Sequence, residues 1–224
     1  MNDDNRERRS GRALALPRAQ IGASRAAKMK KPVFTDFGDR FVLDFVNTVQ
    51  YFRGKTTDMI DSPSAVIAWL SFMTENGKIA SVQYQKLLAD SSWDLPLLGE
   101  FRQRLRSFLE DRSLKKIKQF SPYLTDIMTG SPLTFTMRAD PETMNLHLVP
   151  VPQRGSVSGL LALLSYDAME MITTDALERV KKCENPTCLA YFINHSGKRK
   201  WCSMETCGNR RKSFRHYQRY RRSS

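Results

Sequence analysis

All four cysteines of the chain fall within 25 residues, spaced as Cys183-x4-Cys188-x13-Cys202-x4-Cys207. A tetrahedral metal site needs four soft ligands that converge from different directions. Each cysteine pair supplies two thiolates from one tight turn, and the 13-residue spacer lets the second pair fold back onto the same ion. The chemistry expected is one structural zinc, because four protein ligands leave no coordination position for a reacting water. His195 and His216 are competing nitrogen donors, but the four thiolates already complete the shell, so both read as surface or nucleic-acid-facing residues.

Charge concentrates where the cysteines lie. The chain carries a net +13, distributed unevenly. Residues 1–31 hold nine Lys/Arg against three Asp/Glu, residues 32–178 hold fourteen against eighteen, and residues 179–224 hold thirteen against two. A mildly acidic middle between basic ends points to arms that meet a polyanion. Beyond Cys207 runs GNRRKSFRHYQRYRR, which reads as a helix with Ser203 as N-cap and Cys207 in its first turn. Arg211, Arg215, Arg219 and Arg222 then form one stripe, flanked by Arg210, Lys212 and Arg221. Cations this dense repel one another unless an anionic partner is present, and arginine forks match phosphate oxygens. The candidate nucleic-acid contacts are Lys198, Arg199, Lys200, Arg210, Arg211, Lys212, Arg215, Arg219 and Arg222. Double-stranded DNA is the leading partner and RNA the alternative, since phosphate contacts do not separate them.

The elements that must position these groups are mostly helical. Helices are expected over 38–50, from Ser62-Pro63 to Asn76-Gly77, over 81–89, over 97–112 and over 157–173, from apolar spacing and capping residues. Residues 114–128 continue helically, with Pro122 expected to break or kink the helix. In 97–112, Leu98, Phe101, Leu105, Phe108 and Leu109 form the buried face and the arginines at 102, 104 and 106 lie outside. Residues 133–138 and 145–151 alternate around Asp140-Pro141-Glu142 and read as a β-hairpin. Residues 175–182 link to the first cysteine, Ala190–Ile193 is strand-like, and the segment turns at 195–198 to return along Lys200-Trp201. Trp201, Tyr191 and Phe192 are expected to form the finger's small core. The expected class is mainly α with one β-hairpin: a disordered basic arm (1–31), an α-rich domain (32–178), and a four-cysteine finger of knuckle, short hairpin and basic helix (179–224).

Asp44, Asn47 and Thr48 are polar residues on an otherwise apolar helix and, with Arg53 and Trp69, could line a ligand pocket. The plainer reading is that Asp44 pairs with an arginine and Asn47 closes backbone hydrogen bonds. No catalytic set is visible: there is no Gly-rich phosphate loop, no H-E-x-x-H and no Gly-x-Ser-x-Gly, so no enzyme is expected. No stretch approaches the ~20 apolar residues of a membrane span, and the start lacks a signal-peptide core. A cytoplasmic location is expected, and in such a reducing compartment clustered cysteines favour metal over disulfide.

Trp201-Cys202-Ser203-Met204-x-x-Cys207-Gly208-Asn209-Arg210-x-Lys212, with Cys183-x4-Cys188 upstream, closely resembles the CGNR zinc-finger family. Leu43-Asp44-Phe45-Val46-Asn47-Thr48 resembles the opening of the ABATE domain that precedes such fingers. The resemblance implies a bacterial, stress-linked transcription regulator, with the α-rich domain as a ligand-sensing or dimerisation module. One departure is Asn194, where such fingers usually carry aspartate.

Overall fold

The computed structural model describes residues 34–37, 40–52, 55–139, 143–209 and 212–213. Seven α-helices and three two-stranded antiparallel sheets are found among them, and these elements belong to one compact unit. The basic arm 1–31 lies outside the described residues.

The first helix, α1 (Phe41–Val46), is shorter than its apolar stripe suggests. Its N-terminus is capped from a distance: the Val42 N–H donates to Asp167 Oδ2 at 2.8 Å. Asn47 and Thr48 end the helix, and the chain enters β1 (Val49–Phe52), paired with β2 (Lys55–Asp58). Val49 and Gln50 are therefore strand, not helix. The apolar positions at 42, 46 and 49 continue the helical stripe, while β-branched and aromatic residues on both sides of Gly54 support the hairpin.

Helix α2 (Pro63–Glu75) starts as its residues dictate, with Ser62 Oγ accepting from Ala65 N at 3.2 Å. Helix α3 (Ser81–Leu88) and α4 (Leu95–Glu110) follow, the latter capped by Asp94, whose Oδ1 accepts from Leu97 N. In α5 (Leu114–Gly130) Pro122 sits inside an uninterrupted helix. Proline removes one backbone donor, yet packing of Phe120, Tyr123 and Leu124 holds the helix on both sides of it.

The β3 (Leu133–Ala139) and β4 (Leu146–Pro152) hairpin forms where alternation places it. Helix α6 (Ser156–Thr173) contributes eleven buried residues, more than any other helix among the described residues. A short α7 (Ala176–Arg179) then leads into β5 (Val180–Lys182) and β6 (Tyr191–Ile193). No helix among the described residues is long and apolar enough to cross a membrane.

The main core joins α1, α2, α4, α5 and α6 around Phe45, Trp69, Leu70, Phe101 and Leu164. It also contains Val180, Tyr191 and Ile193 from the cysteine-bearing segment. Strand alternation explains this: Tyr191 and Ile193 face the helices, while Phe192 faces the cysteines. Tyr191 therefore belongs to the larger core, leaving Phe192 and Trp201 in the smaller one.

Candidate metal centre and its basic rim

The first cysteine pair brackets a turn shaped by Asn185. Its Oδ1 accepts from the Thr187 N–H at 3.3 Å, and its carbonyl accepts from Cys188 N at 2.8 Å. The second pair spans a π-helical turn, Met204–Gly208, in which Cys207 N and Gly208 N both donate to Ser203 O. The backbone N–H of Cys202 points at Cys183 Sγ at 3.5 Å, which stabilises a thiolate there. A Cβ at Gly208 would lie 2.6 Å from Met204 Sδ, so a side chain there would displace the flexible, half-exposed methionine.

These turns bring the four sulfurs to within 4.8 Å of one another, with Cys188 Sγ and Cys202 Sγ 3.7 Å apart. A tetrahedron of sulfurs at zinc–thiolate distance has edges of about 3.8 Å. The donor set therefore fits one zinc, and none of the four cysteines is in a disulfide. Hydrogen bonds among the thiols split their titration. Donation from Cys188 and Cys202 lowers Cys183 to about 6, and the neighbouring thiols also pull Cys207 down. Hydrogen bonding with Cys183 and the other thiols pushes Cys188 and Cys202 up. Cys183, Cys202 and Cys207 are buried, and His195 is exposed and outside the sulfur cluster.

The strand pairing differs from the sequence-based expectation. The partner of β6 is β5, upstream of the first cysteine, and not the segment at Lys200-Trp201. That return is tied by Asn194 instead. Its Oδ1 accepts from Arg199 N at 3.1 Å and its Nδ2 donates to Arg199 O at 3.0 Å. A carboxylate could make only the first of these bonds, so the amide closes this turn without charge.

The cationic residues divide into two kinds. Lys198, Lys200 and Lys212 are exposed. Arg199 is turned inward: its guanidinium lies 4.4 Å from the Phe192 ring centroid and donates to the carbonyls of Trp201 and Cys202. It is half-buried and braces the second knuckle, so the contacts the structure gives it are intramolecular. Arg210, Arg211, Arg215, Arg219 and Arg222 lie outside the described residues. Beside the metal centre is an open cleft of about 560 Å³, bordered by Lys198, Lys200, Trp201 and Ser203.

Asp44, Asn47, Thr48 and Trp69 belong to the packed interior; Arg53 lies outside the described residues. Their exposures are 3, 2, 3 and 1%. Asp44 Oδ1 accepts from Phe37 N, and Trp69 stacks on Phe41 at 5.2 Å. Thr48 Oγ1 accepts from Arg102 Nη1 at 2.7 Å, and the same arginine forks onto Asp58. Asn47 closes backbone bonds across the molecule, donating to Tyr191 O and accepting from Tyr191 N, both at 2.8 Å.

This last pair ties the cysteine segment to the helical body. Arg106, expected on the outer face of α4, reaches Val46 O at 3.0 Å and Leu189 O at 2.8 Å, while its guanidinium lies over the Tyr191 ring. Burial lowers its affinity for a proton. Glu110 accepts from Lys182 Nζ and from Tyr191 OH, each at 2.5 Å. Lys182 and Tyr191 hold the Glu110 carboxyl below its ordinary range, while burial pushes the Tyr191 phenol up. Sequence reasoning placed Arg102 and Arg106 in solvent because their partners come from other elements. Asn47 was visible as a polar residue in an apolar run, but its partner was not.

The family comparison agrees with this geometry. The ABATE family model, described as "Putative stress-induced transcription regulator", matches residues 39–175. The chain belongs to the ABATE family. The CGNR zinc-finger model matches residues 179–220, so this ABATE chain carries a zinc finger whose four cysteines hold one structural zinc. No curated protein matches the chain.

Proposed function

We propose that this ABATE chain is a DNA-binding transcription regulator whose zinc finger carries the nucleic-acid contact. The observation that supports it is the position of the charge. Lys198 and Lys200 are exposed between the two cysteine pairs, and the basic run 208–222, in which Lys212 is exposed, follows the last cysteine directly. Zinc bound by four thiolates orders this segment and supplies no reaction, so the proposed role is non-catalytic. The packed surroundings of Asn47, Thr48 and Trp69 favour assembly over ligand sensing for the helical domain.

The test is fluorescence anisotropy of a labelled DNA duplex across a salt series, using the zinc-loaded chain. Affinity should fall with a log–log slope of about −5 if roughly six phosphates are contacted. Charge reversal at Arg215, Arg219 and Arg222 should weaken binding at least tenfold, and reversal at Lys198 and Lys200 by less. A flat salt response would remove the proposal. Tighter binding to RNA of equal length and salt would favour the RNA reading, since the cationic rim suits both polymers.

A further inference from the structure

Ten large apolar side chains are conspicuously exposed among the described residues, and five lie in or beside one hairpin. Phe135, Met137, Met144, Leu146 and Leu148 are 50, 64, 72, 67 and 64% exposed. The register makes four of them part of one surface. Phe135 opposes Pro150, Met137 opposes Leu148, and Ala139 opposes Leu146. Directly opposed residues of antiparallel strands share a face, and alternate pairs fall on the same side. One face of the ribbon is therefore apolar along its length, while the opposed pair Arg138 and His147 puts charge and polarity on the other.

The base of the hairpin is anchored. Val149 and Pro152 are buried, Gln83 Nε2 donates to Pro150 O, and the Phe135 ring meets Tyr166 of α6 edge-on at 5.7 Å. Beyond Phe135 the apolar face is open to solvent.

We propose that this face joins two copies of the chain, hairpin stacked on hairpin about a twofold axis. An uncharged apolar face complements itself, whereas a charged partner would bury unpaired groups against it. The four side chains leave roughly 500 Å² open per copy, within the range of the largest patch on a monomer. Two copies would bury about 1,000 Å², the least that a specific interface needs. Stacked sheet faces sit ~10 Å apart, close enough for Met137 and Leu148 of each copy to interdigitate. Twofold pairing also closes the assembly without leaving the patch free to recruit further copies. This pairing does not depend on the nucleic-acid reading, although two fingers on one body would raise the avidity of either.

The experiment is sedimentation velocity on the full zinc-loaded chain at about 50 µM, where a micromolar dissociation constant gives mostly dimer. The expected mass is twice the 25.8 kDa of one chain. Met137→Glu with Leu148→Glu should shift the species to monomer with unchanged circular dichroism and zinc content, because both side chains are already exposed. Leu114→Glu, at a position 66% exposed on α5, should remain dimeric. A monomeric wild-type chain would overturn the proposal. So would a dimer that survives the double substitution, or one that Leu114→Glu dissociates equally.

Discussion

Two apolar clusters meet at strand β6, and they are held by different means. The larger gathers thirty buried residues from helices that span the molecule, so hydrophobic burial alone can maintain it. The smaller has five buried members, three of them cysteines, with Phe37, Cys188 and Trp201 against it. A cluster that small cannot offset the ordering of its own loops, so the metal must supply most of its stability. Yet the clusters share a strand: Tyr191 and Ile193 serve the first and Phe192 the second. Metal-ordered and burial-ordered structure therefore meet in three residues.

The strongest way to break the comparison is to remove the metal. Cys202→Ser should abolish stoichiometric zinc, measured by atomic emission, since structural zinc contributes on the order of 10 kcal/mol to its site. Trypsin should then cut readily at Lys198 to Lys200. The damage should also cross the seam and lower the unfolding midpoint of the helical body, because β6 loses its anchor on one face. Unaltered protease resistance between Arg179 and Asn209 would contradict a metal-ordered finger; an unaltered midpoint would contradict the shared strand.

Asn47→Ala attacks the seam from the other side. It strips a buried donor and a buried acceptor of Tyr191, at a cost of about 2–4 kcal/mol in denaturant unfolding. Zinc should still bind, because no sulfur moves. If stability is unchanged, the two bonds are not what joins the clusters.

Glu110→Gln gives the smallest effect and sharpens the same seam. The carboxyl is held below its ordinary value of 4.5 by Lys182 and then Tyr191. A depressed carboxylate contributes stability that is present above that value and is lost as pH falls through the lower folded one. The exposed position keeps the contribution below about 1 kcal/mol. Wild type should therefore exceed the variant at neutral pH and converge with it in acid, read as the difference between their stability–pH curves. A difference independent of pH would assign Glu110 a packing role only.

The legible parts of this molecule are those in which the partners lie close in sequence. The helix starts at Ser62-Pro63, the β3–β4 hairpin and both cysteine turns depend on residues within a few positions of one another. The β1–β2 hairpin was hidden by an apolar stripe that satisfies helical and strand spacing together. Arg102 and Arg106 read as solvent-facing because a guanidinium on an amphipathic helix usually is, and their acceptors come from 44 or more positions away. The β5–β6 pairing was missed because Lys181 and Lys182 do not look like half of a buried sheet; only Val180 of that strand is covered.

By itself the sequence determined that four thiolates would converge on one metal and where the positive charge would lie, because covalent spacing confines each cysteine pair to a single turn. Only the tertiary structure decided that the finger is not a pendant module. That depends on Asn47 meeting a backbone 144 positions away, and on the alternation of β6 that divides three consecutive residues between two cores. Contacts of that separation are set by how the helices pack, which no local spacing encodes.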